Sequence, residues 1–189
     1  MRVLLTERNQ HPAGQGFDQP FEMLSTCHEK VERMLALLER LTLHLREQGA
    51  DDAAQDAARD VMRYFDLAAP LHHEDEELHV LPLLLQSGDA ALVALAQQLH
   101  AEHLAMTQVW SALRKDLARL LDKGGEQPPS SSLSPWLSHG PEFAALYRRH
   151  LQAEESLAYP HAQARISDAA RDSMRVDMMV RRGHPRPGT

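Results

Sequence analysis

Residues 72–82 read HHEDEELHVLP, and residues 150–160 read HLQAEESLAYP. Each segment follows a phenylalanine, Phe65 or Phe143, and both fit the pattern F-x6-H-x3-E-E-x4-P. A histidine and a glutamate four residues apart lie on one face of an α-helix, about 6 Å apart along its axis. The repeat therefore predicts two helices that each direct an imidazole and a carboxylate to one spot, in two helical hairpins related by a pseudo-twofold axis.

Apolar residues at alternating spacings of three and four predict four long helices, A to D, that include these segments. The predicted ranges are about 19–47, 51–85, 90–122 and, for helix D, 141 onward. Pro70 and Pro82 should kink or break helix B. A loop rich in Gly, Pro and Ser is expected over 122–140, and a shorter fifth helix over 167–181.

These lengths predict an all-α protein built as an antiparallel up-down four-helix bundle with a short extra C-terminal helix. We expect the bundle over residues 18–163, after an N-terminal arm at 1–17 and before a C-terminal helix and tail at 164–189. Asp18 is a candidate cap for helix A. The stripes predicted to be buried include Ala68 in helix B and Leu157 in helix D.

Polar groups interrupt all four apolar stripes. Each stripe contains one histidine, and two stripes also contain a glutamate; these residues are His28, His72, Glu76, His103, His150 and Glu154. Unpaired burial of such groups is costly, whereas two divalent metal ions, bound by imidazoles and bridged by carboxylates, would compensate for it. A buried network of ion pairs is the alternative explanation.

Other polar residues flank these candidates. His73 and Glu77 form a second H-x3-E pair, rotated by about 100° from the stripe, and could replace the first pair as ligands. Glu74, Asp75 and Glu155 are expected either on a solvated face or as partners of the histidine N–H groups. We expect Cys27 to be a buried thiol.

The composition restricts the function classes. The net charge of −7 argues against nucleic-acid binding, and the single cysteine excludes a disulfide framework and a Cys-rich zinc site. No apolar run approaches the length of about 20 residues that spans a bilayer, and the apolar stretch near the N-terminus is too short for a secretory signal. We therefore expect a cytoplasmic protein without a membrane partner. The arginines near the C-terminus are expected to form a solvated basic tail.

The chain resembles the hemerythrin-like family, also called HHE cation-binding domains. The resemblance rests on His28-Glu29, the two segments quoted above and the AEH sequence that ends at His103, and it covers roughly residues 18–163. It implies a non-haem di-iron centre with four terminal histidines and two bridging glutamates. The implied terminal ligands are His28, His72, His103 and His150, and the implied bridges are Glu76 and Glu154.

Two features distinguish this chain from the oxygen-carrying hemerythrins. Leu99 stands where those proteins have a further histidine, and His100 is a candidate substitute. In this chain the glutamate lies four positions after the histidine in both helix B and helix D, whereas in helix D of the carriers the carboxylate lies five positions after the histidine. The pattern is closer to the di-iron proteins proposed to repair iron–sulfur clusters after nitric oxide or peroxide stress.

The resemblance and the ligand chemistry favour two iron ions, which an oxo group could bridge; zinc and manganese are less favoured. Three alternative functions are compatible with such a centre. The first is binding or sensing of O2 or NO. The second is a stress-response enzyme or iron donor that works with an electron-donor protein. The third is a structural or interaction bundle with a zinc or vestigial site.

Overall fold

The computed structural model describes residues 19–122 and 138–186. Within these ranges the chain contains helices and no strand, which confirms the predicted all-α class. The helices are α1 (Pro20–Glu47), α2 (Asp52–Arg63), α3 (Ala69–His79), α4 (Leu81–Leu85), α5 (Ala90–Leu121), α6 (His139–Ala153), α7 (Tyr159–Gln163) and α8 (Asp168–Arg181). The predicted arm, Asp18 and residues 123–137 of the predicted loop lie outside the described residues.

The helices pack around one buried layer of polar side chains. α1 contacts α2 and α6, and α5 contacts the same two helices, so these four enclose a common interior. Two clusters of buried apolar side chains fill it, one formed around Leu35, Leu113 and Phe143 and the other around Leu24, Leu84 and Leu99. Along the chain, the predicted metal-ligating residues lie where the buried apolar residues change from one cluster to the other, for example between Leu24 and Val31 or between Leu99 and Met106. The candidate site is therefore bounded by apolar layers on both sides.

Two π-helical segments interrupt the long helical regions. The first, Tyr64–Ala68, joins α2 to α3, and the second, Glu154–Ala158, joins α6 to α7. A proline lies two residues after each segment, and proline can neither donate the usual helical hydrogen bond nor fit against the preceding turn. The backbone N–H of the residue before each proline instead donates a hydrogen bond to the carbonyl five residues earlier. Ala69 donates to Tyr64, and Tyr159 donates to Glu154.

The wider π turn changes the directions in which the side chains within and after it point. Two positions that we predicted to be buried are therefore wrong. Ala68 and Leu157 are exposed, whereas their neighbours Ala69 and Ala158 are buried. The break that we predicted in helix B at Pro82 is confirmed. α3 ends at His79, and α4 begins at Leu81 with Pro82 in its first turn.

Predicted helix starts agree closely with the structure. The Asp51 carboxylate accepts a hydrogen bond from the Ala54 N–H at the start of α2, and the Ser167 hydroxyl accepts one from the Ala170 N–H at the start of α8. α6 begins at His139, two residues before the predicted start. In the described part of the chain, no helix is both long and apolar enough to cross a membrane.

Arg181, the last residue of α8, and Arg182 do not lie in the solvated basic tail that we predicted. Met174 and Met178 on this helix are fully buried in the cluster around Leu24, which holds α8 against the bundle. Arg181 and Arg182 then reach Asp75 of α3, whose side chain is completely buried. Net charge and a C-terminal position had suggested a solvated patch, but the apolar face of α8 determines where its arginines lie.

Candidate metal centre

The structure brings all six predicted ligands together. They form two groups that share both glutamates, and within each group one ligand atom per residue lies within 4.8 Å of every other. Position one consists of His28, His72, Glu76 and Glu154, and position two consists of Glu76, His103, His150 and Glu154. All six residues are buried.

Each position has a pair of facing imidazoles contributed by two helices. The Nε2 atoms of His28 and His72 are 3.0 Å apart, and those of His103 and His150 are also 3.0 Å apart. Two nitrogens that are each about 2.1 Å from one ion, at right angles, lie about 3.0 Å apart. The separation of each pair therefore suits shared coordination of one ion.

The two glutamates turn one oxygen toward each position. Glu76 Oε1 lies 3.3 Å from His72 Nε2, and Glu76 Oε2 lies 3.5 Å from His103 Nε2. Glu154 Oε2 lies 3.2 Å from His28 Nε2, and its Oε1 lies 2.9 Å from His150 Nε2. Each carboxylate thus has the orientation of a bridge between two ions.

Unsatisfied oxygens at this site fit a metal pair. Glu76 Oε2 and Glu154 Oε2 are buried and accept no well-aligned hydrogen bond. Buried polar atoms nearly always have a partner, and two carboxylates with free buried lone pairs are costly in an apolar interior. Divalent cations would use these lone pairs directly.

In the metal-free protein the histidines partly balance this negative charge. Burial opposes protonation of His28, but its contacts with the carboxylates of Glu154 and Glu76 outweigh burial and raise its pKa to about 10. Burial also opposes protonation of His150, yet the charge of Glu154 raises its pKa to about 9. Burial lowers the pKa of His72. Protons and metal ions therefore compete for the same nitrogens.

Three of the four histidines are oriented by an outer carboxylate. Glu155 Oε1 lies 2.7 Å from His28 Nδ1, and Glu77 Oε1 lies 2.9 Å from His103 Nδ1. These two contacts are equivalent under the pseudo-twofold relation, because each carboxylate directly follows a bridging glutamate. Glu102 Oε2 lies 2.9 Å from His150 Nδ1, whereas His72 Nδ1 is buried without a hydrogen-bond partner.

The polar residues that flank the six ligands have different roles. Glu155 is an outer partner, as one alternative proposed. Glu77 is also an outer partner, because it contacts His103 Nδ1, so the alternative that made Glu77 a metal ligand is not supported. His73 stacks on His103 with ring centroids 4.1 Å apart, and its Nε2 lies 3.3 Å from the Tyr147 hydroxyl. Asp75 pairs with arginines and with no histidine ligand. Cys27 is a free thiol of intermediate exposure.

His100 does not take the place of the histidine that Leu99 replaces. Its side chain is 54% exposed, and its Nδ1 lies 3.5 Å from Glu77 Oε1, outside both ligand groups. Leu99 is fully buried in the apolar cluster around Leu24. Three residues along an α-helix leave His100 about 60° from the line of His103, and this offset is enough to turn its imidazole out of the core.

Tyr159 is a site residue that the sequence analysis missed. Its hydroxyl donates a short hydrogen bond to Glu76 Oε1 and lies 3.0 Å from His28 Nε2, while its ring stacks on that imidazole. In a regular α-helix Tyr159 would point about 140° away from Glu154. The second π segment turns it toward the site, and Pro160 was the sequence signal that could have indicated this.

An open groove between α1 and α6 borders His28, one of the ligands of position one. It has a volume of about 710 Å³, and its lining includes His28 together with Glu29, Glu32, Arg148 and Glu155. Three carboxylates and two arginines, Arg33 and Arg148, thus border the groove beside this imidazole.

Comparison with known proteins agrees with this geometry. The family model described as hemerythrin HHE cation-binding domain matches residues 19–162. An uncharacterized protein of Haemophilus influenzae is 30% identical over 141 residues, which cover 75% of this chain and 77% of that protein. The chain belongs to the hemerythrin HHE cation-binding domain family, which confirms the resemblance inferred from its motifs. The buried histidines and glutamates form its candidate metal-binding site.

Proposed function

We propose that this protein is a non-haem di-iron protein that binds or senses a small diatomic ligand, O2 or NO. In this proposal His28 and His72 hold one ion, His103 and His150 hold the other, and Glu76 and Glu154 bridge them. In the same proposal, the four helical regions that carry these ligands are each antiparallel to the next one along the chain, as in an up-down bundle. The observation that carries the proposal is the sharing of two buried carboxylates between two pairs of facing imidazoles.

The distances support iron over zinc. Ligand atoms about 2.1 Å from an ion are all about 3.4 Å apart in a tetrahedron, the usual zinc geometry, but about 3.0 or 4.2 Å apart in an octahedron. At position two, His150 Nε2 and Glu154 Oε1 are 2.9 Å apart, whereas His103 Nε2 and Glu154 Oε1 are 3.9 Å apart. The spread at position two is typical of octahedral coordination, whereas the separations at position one, 3.0–3.8 Å, include values near those of both geometries. A mixed set of imidazoles and carboxylates is also suited to iron.

Binding of a small ligand is supported by incomplete coordination and by the surroundings. Each position offers four protein ligands, so an octahedral ion would have two further sites for exogenous ligands. The chemistry that a reduced iron pair supplies is electron donation to such a ligand. The apolar clusters on both sides restrict water, and the outer carboxylates Glu77, Glu102 and Glu155 hold three imidazoles in fixed orientations.

Metal analysis combined with optical spectroscopy tests this proposal. Protein produced in iron-replete cells should contain about two irons per chain and show charge-transfer bands that disappear on reduction. Anaerobic addition of O2 or NO to the reduced protein should change the spectrum, and removal of the gas distinguishes reversible binding from oxidation. A single zinc ion, or no metal in a folded protein, would contradict the di-iron assignment and favour an interaction bundle.

A further inference from the structure

We propose that the two metal positions are unequal, and that the ion at position one is held more weakly and exchanges through the groove between α1 and α6. This inference rests on the proposed binding of two ions. It assigns a property that the family relationship does not: which of the two ions leaves first, and by which surface. Three separate observations support it.

The first observation is a broken symmetry among the outer partners. The pseudo-twofold relation pairs His28 with His103 and His72 with His150, so it also pairs Cys27 with Glu102, the residues directly before His28 and His103. Glu102 accepts a hydrogen bond from His150 Nδ1, but the equivalent nitrogen of His72 is buried without a partner. A thiol therefore stands where the other half of the molecule has a carboxylate.

The environment of Cys27 agrees with this correspondence. The Tyr64 hydroxyl donates a hydrogen bond of 3.2 Å to the Cys27 carbonyl, which places Cys27 beside the helical region that leads into α3 and carries His72. Carboxylates that accept the second imidazole N–H fix the ring and increase its basicity, and their loss typically lowers metal affinity by about 10- to 100-fold. His72 should accordingly be the weakest of the four imidazole ligands.

The second observation is the hydrogen bond from Tyr159 to Glu76 Oε1. This oxygen is the one that faces His72, so the phenol draws on a lone pair that an ion at position one would use. In the other half of the molecule, the residue five positions after Glu76 is Leu81, which has no hydroxyl to donate. Tyr159 thus weakens one bridging arm at position one only.

The third observation is access. His28 lines the groove between α1 and α6, and Glu155, its outer partner, is 44% exposed there. Glu29 lines the same groove and can, with Glu155, hold a divalent cation transiently as it leaves, whereas Glu32 is paired with Arg148. Weak ligation and a surface path therefore coincide at position one.

Iron release to a chelator tests the proposal. The protein is loaded anaerobically with ferrous iron to two ions per chain, mixed with an excess of a chromogenic ferrous chelator, and followed by absorbance. We expect two phases of equal amplitude. Binding of fewer than two ions, which is seen before the chelator is added, would contradict the proposed function itself. Two bound ions that leave in a single phase would overturn this inference and leave the function standing.

Reciprocal variants assign the phases. C27E supplies His72 with the carboxylate that His150 already has, and should slow the fast phase by about tenfold or more while the slow phase is unchanged. C27S, the matched control, should leave both rates as in the wild type. E102A removes the partner of His150 and should accelerate the slow phase by a similar factor. An E102A effect confined to the fast phase would overturn the assignment, and this arm does not depend on whether C27E folds.

Discussion

Arg182 Nη1 lies 2.6 Å from Asp75 Oδ2, and the Asp75 side chain is completely buried. This ion pair joins Arg182, which directly follows α8, to the residue that directly precedes Glu76. Arg181 contacts the other oxygen of the same carboxylate at 2.8 Å. The C-terminal helix is therefore part of the support of the candidate metal centre.

Asp75→Asn should destabilise the protein by about 1.5–3 kcal/mol, since it removes the buried charge that pairs with Arg182 and accepts a charge-assisted hydrogen bond from Arg181. Urea unfolding of the metal-free protein measures the change. Glu74→Gln is the matched control because Glu74 contacts Arg181 as well but is 52% exposed, and its effect should stay within about 0.5 kcal/mol. Equal losses in the two variants would contradict a structural role for the buried pair.

Replacement of a ligand should have different effects at terminal and bridging residues. His72→Ala removes one ligand from position one and should lower the metal content to about one ion per chain. Glu154→Ala removes a ligand from both positions and should lower the content further. Metal analysis after gel filtration measures both effects. His161→Ala serves as the control because His161 is exposed outside the site, and an equal loss there would refute the ligand assignment.

The outer carboxylates Glu77 and Glu155 allow a symmetric test of the site. Each directly follows a bridging glutamate and accepts a hydrogen bond from a histidine ligand. Glu77→Gln and Glu155→Gln should each weaken metal binding by about tenfold or more without unfolding the protein. Competition with a chelator of known affinity gives the constants. Unchanged affinity in both variants would mean that these carboxylates do not tune the ligands.

The sequence was sufficient to predict those parts of the site that keep a regular helical period. His28, His72, His103 and His150 lie at positions where apolar neighbours define a stripe, so their burial could be anticipated. Tyr159 could not be placed in this way, because a π turn sets its direction and the turn depends on backbone bonds around Pro160. The same cause made the prediction for Leu157 wrong.

Contacts between residues far apart along the chain also could not be predicted from the sequence. A pairing of Asp75 with Arg182 depends on where α8 docks, and the buried methionines Met174 and Met178 determine that position. Charge and composition alone gave the opposite expectation for Arg181 and Arg182.

The stability of the metal-free protein should fall as pH rises from about 7 to 10. The pKa values of His28 and His150 are raised in the folded state to about 10 and about 9, above the unfolded value of about 6.5. Their contribution is therefore complete below about pH 6.5 and is lost as the pH passes through the folded-state values. Urea midpoints across this range measure the effect. The metal-loaded protein should lose much less, because bound ions replace the protons.

Metal binding at pH 7 should release at least two protons per chain. His28 and His150 are protonated at this pH in the metal-free protein, and an imidazole nitrogen must lose its proton before it can bind an ion. Calorimetric titrations in two buffers of different ionisation enthalpy give the number of protons released. His150→Gln should release about one proton fewer, whereas His161→Ala should match the wild type. Identical heats in both buffers would show that these imidazoles are not the groups displaced by the metal.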